Sequence, residues 1–100
     1  MLVIAGTIRI DPAQREKATE AARAIMQKTH QEEGNLAYAF STDLEDEGLL
    51  HIFEKWQSQE ALDFHLKTPH MAEFQAVAGG FGLHEMNLEK YEIASVGPVF

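Results

Sequence analysis

The sequence predicts an α+β fold, a ferredoxin-like βαββαβ sandwich in which helices cover one face of an antiparallel sheet. The main observation is the order β-α-β-β-α-(α)-β, in which β-branched and aromatic runs alternate with helical patterns. The length of 100 residues is that of one domain, so we expect a single domain over residues 1–100. An apolar content of 45% is ordinary for a globular protein with one core.

The first strand and the first helix follow from residue type and spacing. Residues 2–10 are rich in Leu, Val and Ile, which is typical of a strand. Asp11 and Pro12 suit the N-cap and the first position of a helix, and we expect that helix to end at Gly34. The apolar residues that recur at helical spacing are Ala18, Ala21, Ala22, Ile25, Met26 and Thr29.

The rest of the chain reads as a hairpin, two short helices and a last strand. Residues 35–42 and 49–56 are predicted strands joined by the acidic turn DLEDEG. Ser58 can cap one short helix, and Thr68 with the proline after it starts another that ends at the next glycine pair. Residues 83–94 are predicted to form the last strand, before an irregular tail.

Both faces of the predicted sheet carry apolar residues, which is the first indication of a partner. The helices can cover only one face, so a second copy of the same sheet is the simplest cover for the other. We therefore expect a homodimer. In the first strand, Leu2, Ile4, Ile8 and Ile10 lie on one side and Val3, Ala5 and Thr7 on the other.

Charge and composition exclude several classes of partner. The formal net charge is −8 and the basic residues are scattered, which argues against nucleic acid. No stretch has the length of a membrane span, so we expect no membrane partner. The absence of cysteine excludes disulfides, thiolate metal sites and cysteine nucleophiles. It also fits a reducing compartment, and we expect the cytoplasm.

The candidate site lies around the stretch FEKWQSQEALDFHL, residues 53–66. Glu54 and Trp56 share one face of their strand, and His65 lies on the apolar side of the helix that follows. Tyr38 and Phe40 on the neighbouring strand would add aromatic walls. An apolar, aromatic-lined pocket with one imidazole suits a flat, weakly polar ligand.

Each of these side chains also has a purely structural explanation, which the sequence leaves open. Trp56, Tyr38 and Phe40 could be ordinary core residues, and His65 could be a hydrogen-bonded core residue. Glu54 is expected at the rim, paired with a Lys or an Arg.

We expect neither a metal nor an organic cofactor. His65 and His70 have no acidic partner at metal-motif spacing, and Pro69 breaks the helix that would align them. The glycines do not form a phosphate-binding loop.

Two segments carry a resemblance to a known family. EEGNLAYAFSTD, residues 32–43, contains Gly-x-Leu-x-Tyr, and FEKWQSQEALDFHLKTPHM, residues 53–71, contains Glu-x-Trp followed by Ser-x-Glu-Ala-Leu and a histidine. This pattern resembles the antibiotic biosynthesis monooxygenase superfamily, and within it the small bacterial quinol-monooxygenase-like branch. The matching residues are Gly34, Leu36, Tyr38, Glu54, Trp56, Ser58, Glu60, Ala61, Leu62 and His65.

The resemblance implies a homodimer whose two sheets form a dimeric α/β barrel, with a pocket in each subunit. It places Trp56 and His65 at the pocket wall and implies oxygenation of a small quinol-like or phenolic aromatic by molecular oxygen without a cofactor. An electron-rich hydroquinone can reduce oxygen itself once it is deprotonated, so the protein supplies a base, an apolar slot and exclusion of water. His65 is the expected catalytic base because imidazole titrates near neutral pH.

Two alternative functions remain on the same fold. One is another enzyme in the same pocket, an isomerase or a haem-degrading enzyme, although the first strand lacks the asparagine that haem-degrading relatives place there. The other is a non-catalytic dimer that binds a small molecule.

Overall fold

The computed structural model describes residues 1–100 and contains one four-stranded sheet with three α-helices on one of its faces. The strands are β1 (Leu2–Arg9), β2 (Asn35–Thr42), β3 (Leu49–Trp56) and β4 (Glu85–Glu92), and the helices are α1 (Arg15–Thr29), α2 (Gln59–Leu66) and α3 (Pro69–Ala78). Adjacent strands are antiparallel in the order β2-β3-β1-β4. This confirms the predicted ferredoxin-like α+β fold.

Side chains cap the helix starts as their residue types predict. Asp11 accepts from the backbone N–H of Ala13 and begins a short 3₁₀ turn, Pro12–Gln14, that leads into α1. Ser58 caps α2 and Thr68 caps α3, each through a hydrogen bond from a backbone N–H three residues later. Two separate caps only ten residues apart explain why the chain forms two short helices here rather than one long one.

The predicted end of α1 is wrong, since the helix ends at Thr29 rather than at Gly34. Gly34 has φ of +87° and lies in the loop before β2, where a Cβ atom would be 2.6 Å from the Cβ of Ala61. Glycine is therefore required both for the backbone conformation and for the close approach of this loop to α2. The loop over residues 30–34 is held against α2 as a result.

The core lies between the helices and the facing side of the sheet. Along β3, Leu50, Ile52, Glu54 and Trp56 are all buried, whereas the residues between them are exposed or half-buried. This period of two is that of a strand with one covered face. It places one carboxylate, that of Glu54, inside an otherwise apolar layer.

The other face of the sheet is open in the single chain and partly apolar. Val3, Ala5 and Thr7 are half-buried there, and Phe53 and Tyr91 are exposed. The homodimer stays a prediction that this surface motivates. None of the helices is both long and apolar enough to span a membrane.

Candidate functional site

A cavity of about 390 Å³ lies between the sheet and α3. It is lined by 14 residues, and 11 of them are hydrophobic, so it suits a ligand with little polar surface. The lining residues are Ile8, Tyr38, Phe40, Ile52, Glu54, Met71, Phe74, Gln75, Ala78, Gly79, Phe81, Leu83, Met86 and Leu88.

The five residues that the sequence singled out lie together, but they do not all line this cavity. Tyr38, Phe40 and Glu54 belong to its wall, whereas Trp56 and His65 do not. Trp56 and His65 lie directly behind the wall, with ring centroids 4.8 Å apart, and the His65 ring is 5.2 Å from that of Tyr38. The candidate site therefore consists of three wall residues, Tyr38, Phe40 and Glu54, with the packed rings of Trp56 and His65 behind them.

Glu54 is buried, and its predicted place at the rim beside a Lys or an Arg is wrong. The residue is only 9% exposed, and its Oε1 accepts a hydrogen bond of 3.0 Å from the indole Nε1 of Trp56. No Lys or Arg forms a salt bridge with it. Strand parity puts Glu54 on the same face as Trp56, and the helices cover that face, so the carboxylate is buried rather than at the rim.

Burial controls the ionisation of both polar groups in the wall. Burial raises the pKa of Glu54, the hydrogen bond from Trp56 and the charge of His65 oppose this, and the negative charge of Glu32 adds to it. Burial also raises the pKa of Tyr38 far above that of an exposed phenol, with the nearby carboxylates Glu54 and Glu32 acting in the same direction. Tyr38 therefore stays a neutral phenol, and Glu54 is the one carboxylate in the wall, with a pKa above that of an exposed glutamate.

Glu32 completes the site from the loop between α1 and β2. Its Oε2 lies 2.7 Å from Nδ1 of His65 and 2.6 Å from Nε2 of His70. The side chain of Glu32 is 5% exposed, that of His65 is 1% exposed and that of His70 is 14% exposed. Sequence reasoning gave Glu32 no role, although it lies only two residues before Gly34, whose close packing on α2 brings this loop to His65.

The reasons given by the sequence for excluding a metal do not hold. Glu32 is the acidic partner that seemed to be missing, and the break at Pro69 turns the chain so that His65 and His70 both face it. The three potential ligand atoms lie within 4.8 Å of one another. Two ligands on one zinc ion, each about 2.0–2.1 Å from it, would lie roughly 3.3 Å apart, so the present distances are those of hydrogen bonds.

Three buried polar atoms of this region have no partner in the protein: Oγ1 of Thr29, Oε1 of Glu32 and Nε2 of His65. Because the ionised carboxylate of Glu32 can only accept, the Nδ1 of His65 donates to it. A neutral imidazole has one N–H, so Nε2 of His65 then holds a free lone pair.

Comparison with known proteins identifies the family of this chain. A model of a family described as antibiotic biosynthesis monooxygenase matches residues 1–77. The chain belongs to the antibiotic biosynthesis monooxygenase family. YcnE of Bacillus subtilis, named as a candidate monooxygenase, is 32% identical over 76 residues, which are 76% of this chain and 80% of that protein.

Other proteins resemble this family member in sequence or in fold. The uncharacterized protein sll1783 of Synechocystis is 27% identical over 93% of this chain, but the chain spans only 63% of its length. A structure from Bacteroides thetaiotaomicron, of unknown function and described as a possible oxidoreductase, has a TM-score of 0.83 at 34% identity, over 92% of this chain and 96% of that one. A candidate antibiotic biosynthesis monooxygenase from Deinococcus radiodurans has a TM-score of 0.91 at 24% identity, over 100% of this chain and 99% of that one, which shows the shared fold.

Proposed function

We propose that this family member is a cofactor-independent monooxygenase that oxidises a small quinol-like or phenolic aromatic with molecular oxygen. The observation that supports this most is the cavity of about 390 Å³, whose wall is apolar and aromatic except for the hydroxyl of Tyr38 and the side chains of Glu54 and Gln75. A flat phenol fills such a space with its ring against apolar side chains and its hydroxyl towards Glu54. Membership of a monooxygenase family and the relation to YcnE agree with this reaction class.

The reaction needs a deprotonated substrate and a dry site. A phenolate can transfer one electron to oxygen, and recombination of the two radicals then forms the new carbon–oxygen bond of a ring hydroperoxide. Loss of the ring proton and cleavage of the O–O bond then leave the quinone oxygen on the ring and release the other oxygen atom as water. A phenol and one oxygen molecule give a para-quinone and water, so the conversion balances without an external reductant. The protein's contribution is to accept the phenol proton and to keep bulk water from the intermediate.

Glu54 and His65 have different parts in the acid–base chemistry of this proposal. Glu54 touches the substrate because it lies in the cavity wall, and its raised pKa makes it a better proton acceptor than an exposed carboxylate. His65 remains the base predicted from the sequence, but it lies behind the wall, and its positive charge when protonated favours the ionised form of Glu54. Trp56 fixes the positions of Glu54 and His65, since it donates a hydrogen bond to Glu54 and packs against the ring of His65.

We also propose that the working form is a cytoplasmic homodimer. The open face of the sheet presents Phe53, Tyr91 and Val3 to solvent in the single chain, and a second sheet would cover them. The two helix-covered cavities would then lie on opposite sides of the paired sheets.

Oxygen consumption tests the proposed reaction. The purified protein should consume oxygen with at least one member of a panel of hydroquinones, naphthols and catechols, and isotope-labelled oxygen gas should leave one labelled atom in the product. Hydrogen peroxide with no label in the product would indicate an oxidase instead. Retention of an aromatic ligand without any turnover would indicate a non-catalytic binding protein, and bound haem that is degraded would indicate the haem-degrading alternative.

A further inference from the structure

We propose that Glu32 is a positioning residue for the base of this site: it holds His65 as the Nδ1–H tautomer and stabilises His65 when it is protonated. The proposal rests on the proposed function for the role of His65 as a base. The contacts that support it are independent of the substrate.

The hydrogen bond between Glu32 and His65 determines which nitrogen of the imidazole carries the proton. Glu32 Oε2 is 2.7 Å from Nδ1 of His65, which is within the range of a charge-assisted hydrogen bond from N–H to a carboxylate. With the proton on Nδ1, the lone pair of the neutral ring is on Nε2, and that atom is buried and has no partner in the protein. Nε2 is therefore free to take a proton, whereas the opposite tautomer would set two acceptors against each other at 2.7 Å.

The negative charge of Glu32 also stabilises the protonated form of His65. His65 is 1% exposed and stacks on Trp56, so water cannot stabilise its protonated form. Glu32 supplies the negative charge at hydrogen-bond distance, and no Lys or Arg forms a salt bridge with Glu32. Its charge is therefore available to the protonated imidazole, as in other sites where a third group orients and stabilises a catalytic base.

His70 competes with His65 for the same carboxylate oxygen of Glu32. Nε2 of His70 lies 2.6 Å from the same Oε2 and draws on the same charge. His70 is 14% exposed and opens into a groove between α1 and α3, whereas His65 is 1% exposed. The other titratable groups beside His65 are Glu54 on β3 and Tyr38 on β2, and the charged groups that share the groove with His70 are Lys17, Glu20, Lys28 and Glu73.

Replacement of Glu32 and of His70 should act in opposite directions if this account is right. Glu32→Gln removes the charge that favours protonated His65, so the acid limb of the kcat–pH profile should move to lower pH. His70→Asn leaves more of the Glu32 charge to His65, so the same limb should move to higher pH. A merely structural role would lower stability in both variants without opposite shifts.

¹⁵N NMR of the ring nitrogens of His65 measures the tautomer directly, in the intact protein without any substrate. The wild type and His70→Asn should show Nδ1 protonated and Nε2 unprotonated, and Glu32→Leu, which removes the acceptor, should lose this preference. Glu33→Leu removes the neighbouring exposed carboxylate and is the matched control, which should leave the tautomer unchanged. Protonation on Nε2 in the wild type, or the same tautomer in Glu32→Leu, would overturn the proposal.

Turnover with an accepted phenol provides the second readout. Glu32→Gln should lower kcat by about 10²–10⁴-fold, the range of general acid–base catalysis, with a smaller change in KM. If the wild type oxidises no substrate, the proposed function fails, and the NMR result still decides how Glu32 acts on His65. One metal ion per chain bound to Glu32, His65 and His70 would overturn the positioning role, because a metal on Nδ1 would displace its proton.

Discussion

The indole Nε1 of Trp56 donates a hydrogen bond of 3.0 Å to Oε1 of Glu54, two residues earlier on the same covered face of β3. This bond joins the one ionisable carboxylate in the cavity wall to the ring that stacks on His65. It explains how an apolar layer accommodates a carboxylate, since a buried acceptor without a donor would be costly. The candidate site therefore depends on Trp56 as much for its N–H as for its shape.

Trp56→Phe keeps an aromatic ring at this position but removes the donor to Glu54. We expect a loss of about 1–3 kcal/mol in the free energy of unfolding, the cost of leaving a buried polar group unpaired, measured by urea unfolding near neutral pH. The same change should weaken substrate binding more than it weakens the dimer, because Trp56 supports the cavity wall. A double-mutant cycle with Glu54→Leu, which removes the acceptor, should give a clear coupling energy, and additive effects would show that the hydrogen bond contributes little.

Glu54→Gln should change how stability depends on pH. Because burial raises the pKa of Glu54 in the folded state, the folded protein keeps this proton to a higher pH than the unfolded chain does. The wild type should therefore lose stability relative to Glu54→Gln as pH rises from the ordinary glutamate range through the raised pKa. Urea unfolding of both proteins across this range measures the difference, and a difference independent of pH would contradict the assigned ionisation.

His65→Ala should lower turnover by roughly 10²–10⁴-fold, the range for loss of a general base, while the fold survives. Circular dichroism checks the fold, and oxygen uptake with an accepted quinol measures turnover. His65→Leu separates catalysis from packing, because it fills the space but cannot accept a proton. Unchanged uptake together with equal or higher thermal stability in His65→Leu would mean that His65 is only a core residue.

Phe53→Asp should disrupt the predicted homodimer. Phe53 is 44% exposed in the single chain and lies at the centre of the open sheet face, where a charge would be buried by a second sheet. Light scattering should give twice the chain mass of 11.2 kDa for the wild type and the mass of one chain for the variant. Leu44→Asp is the matched control, since Leu44 is fully exposed in the turn between β2 and β3, and a monomeric wild type would refute the prediction.

Local signals in the sequence were sufficient for most of the fold. The strands over residues 35–42 and 49–56 have the predicted bounds, because turn residues delimit them on both sides. Ser58 and Thr68 cap their helices as expected, since capping involves only neighbouring residues. Gly34 was wrongly predicted to end α1. Its positive φ instead allows the close contact with α2, and a contact between distant residues cannot be predicted from neighbouring residues.

The site was only partly predictable for the same reason. Strand parity correctly put Glu54 and Trp56 on one face of their strand, and both are buried, but parity does not reveal a carboxylate's partner. Glu32 and His65 are separated by 33 positions in the chain, and neither periodicity nor motif spacing connects them. Pro69 was taken to separate His65 from His70, whereas the turn it introduces brings both to Glu32.

Oxygen uptake by a cavity-filling variant tests the central claim most directly, namely that the cavity between the sheet and α3 is where an aromatic substrate is oxidised. Ala78 lines this cavity, whereas Ala76 on the same helix is exposed and faces the groove towards α1. We predict that the wild type and Ala76→Phe consume oxygen with the same quinol-like substrate and that folded Ala78→Phe does not. Undiminished uptake by Ala78→Phe, or no uptake by the wild type with any compound of the panel, would contradict the account.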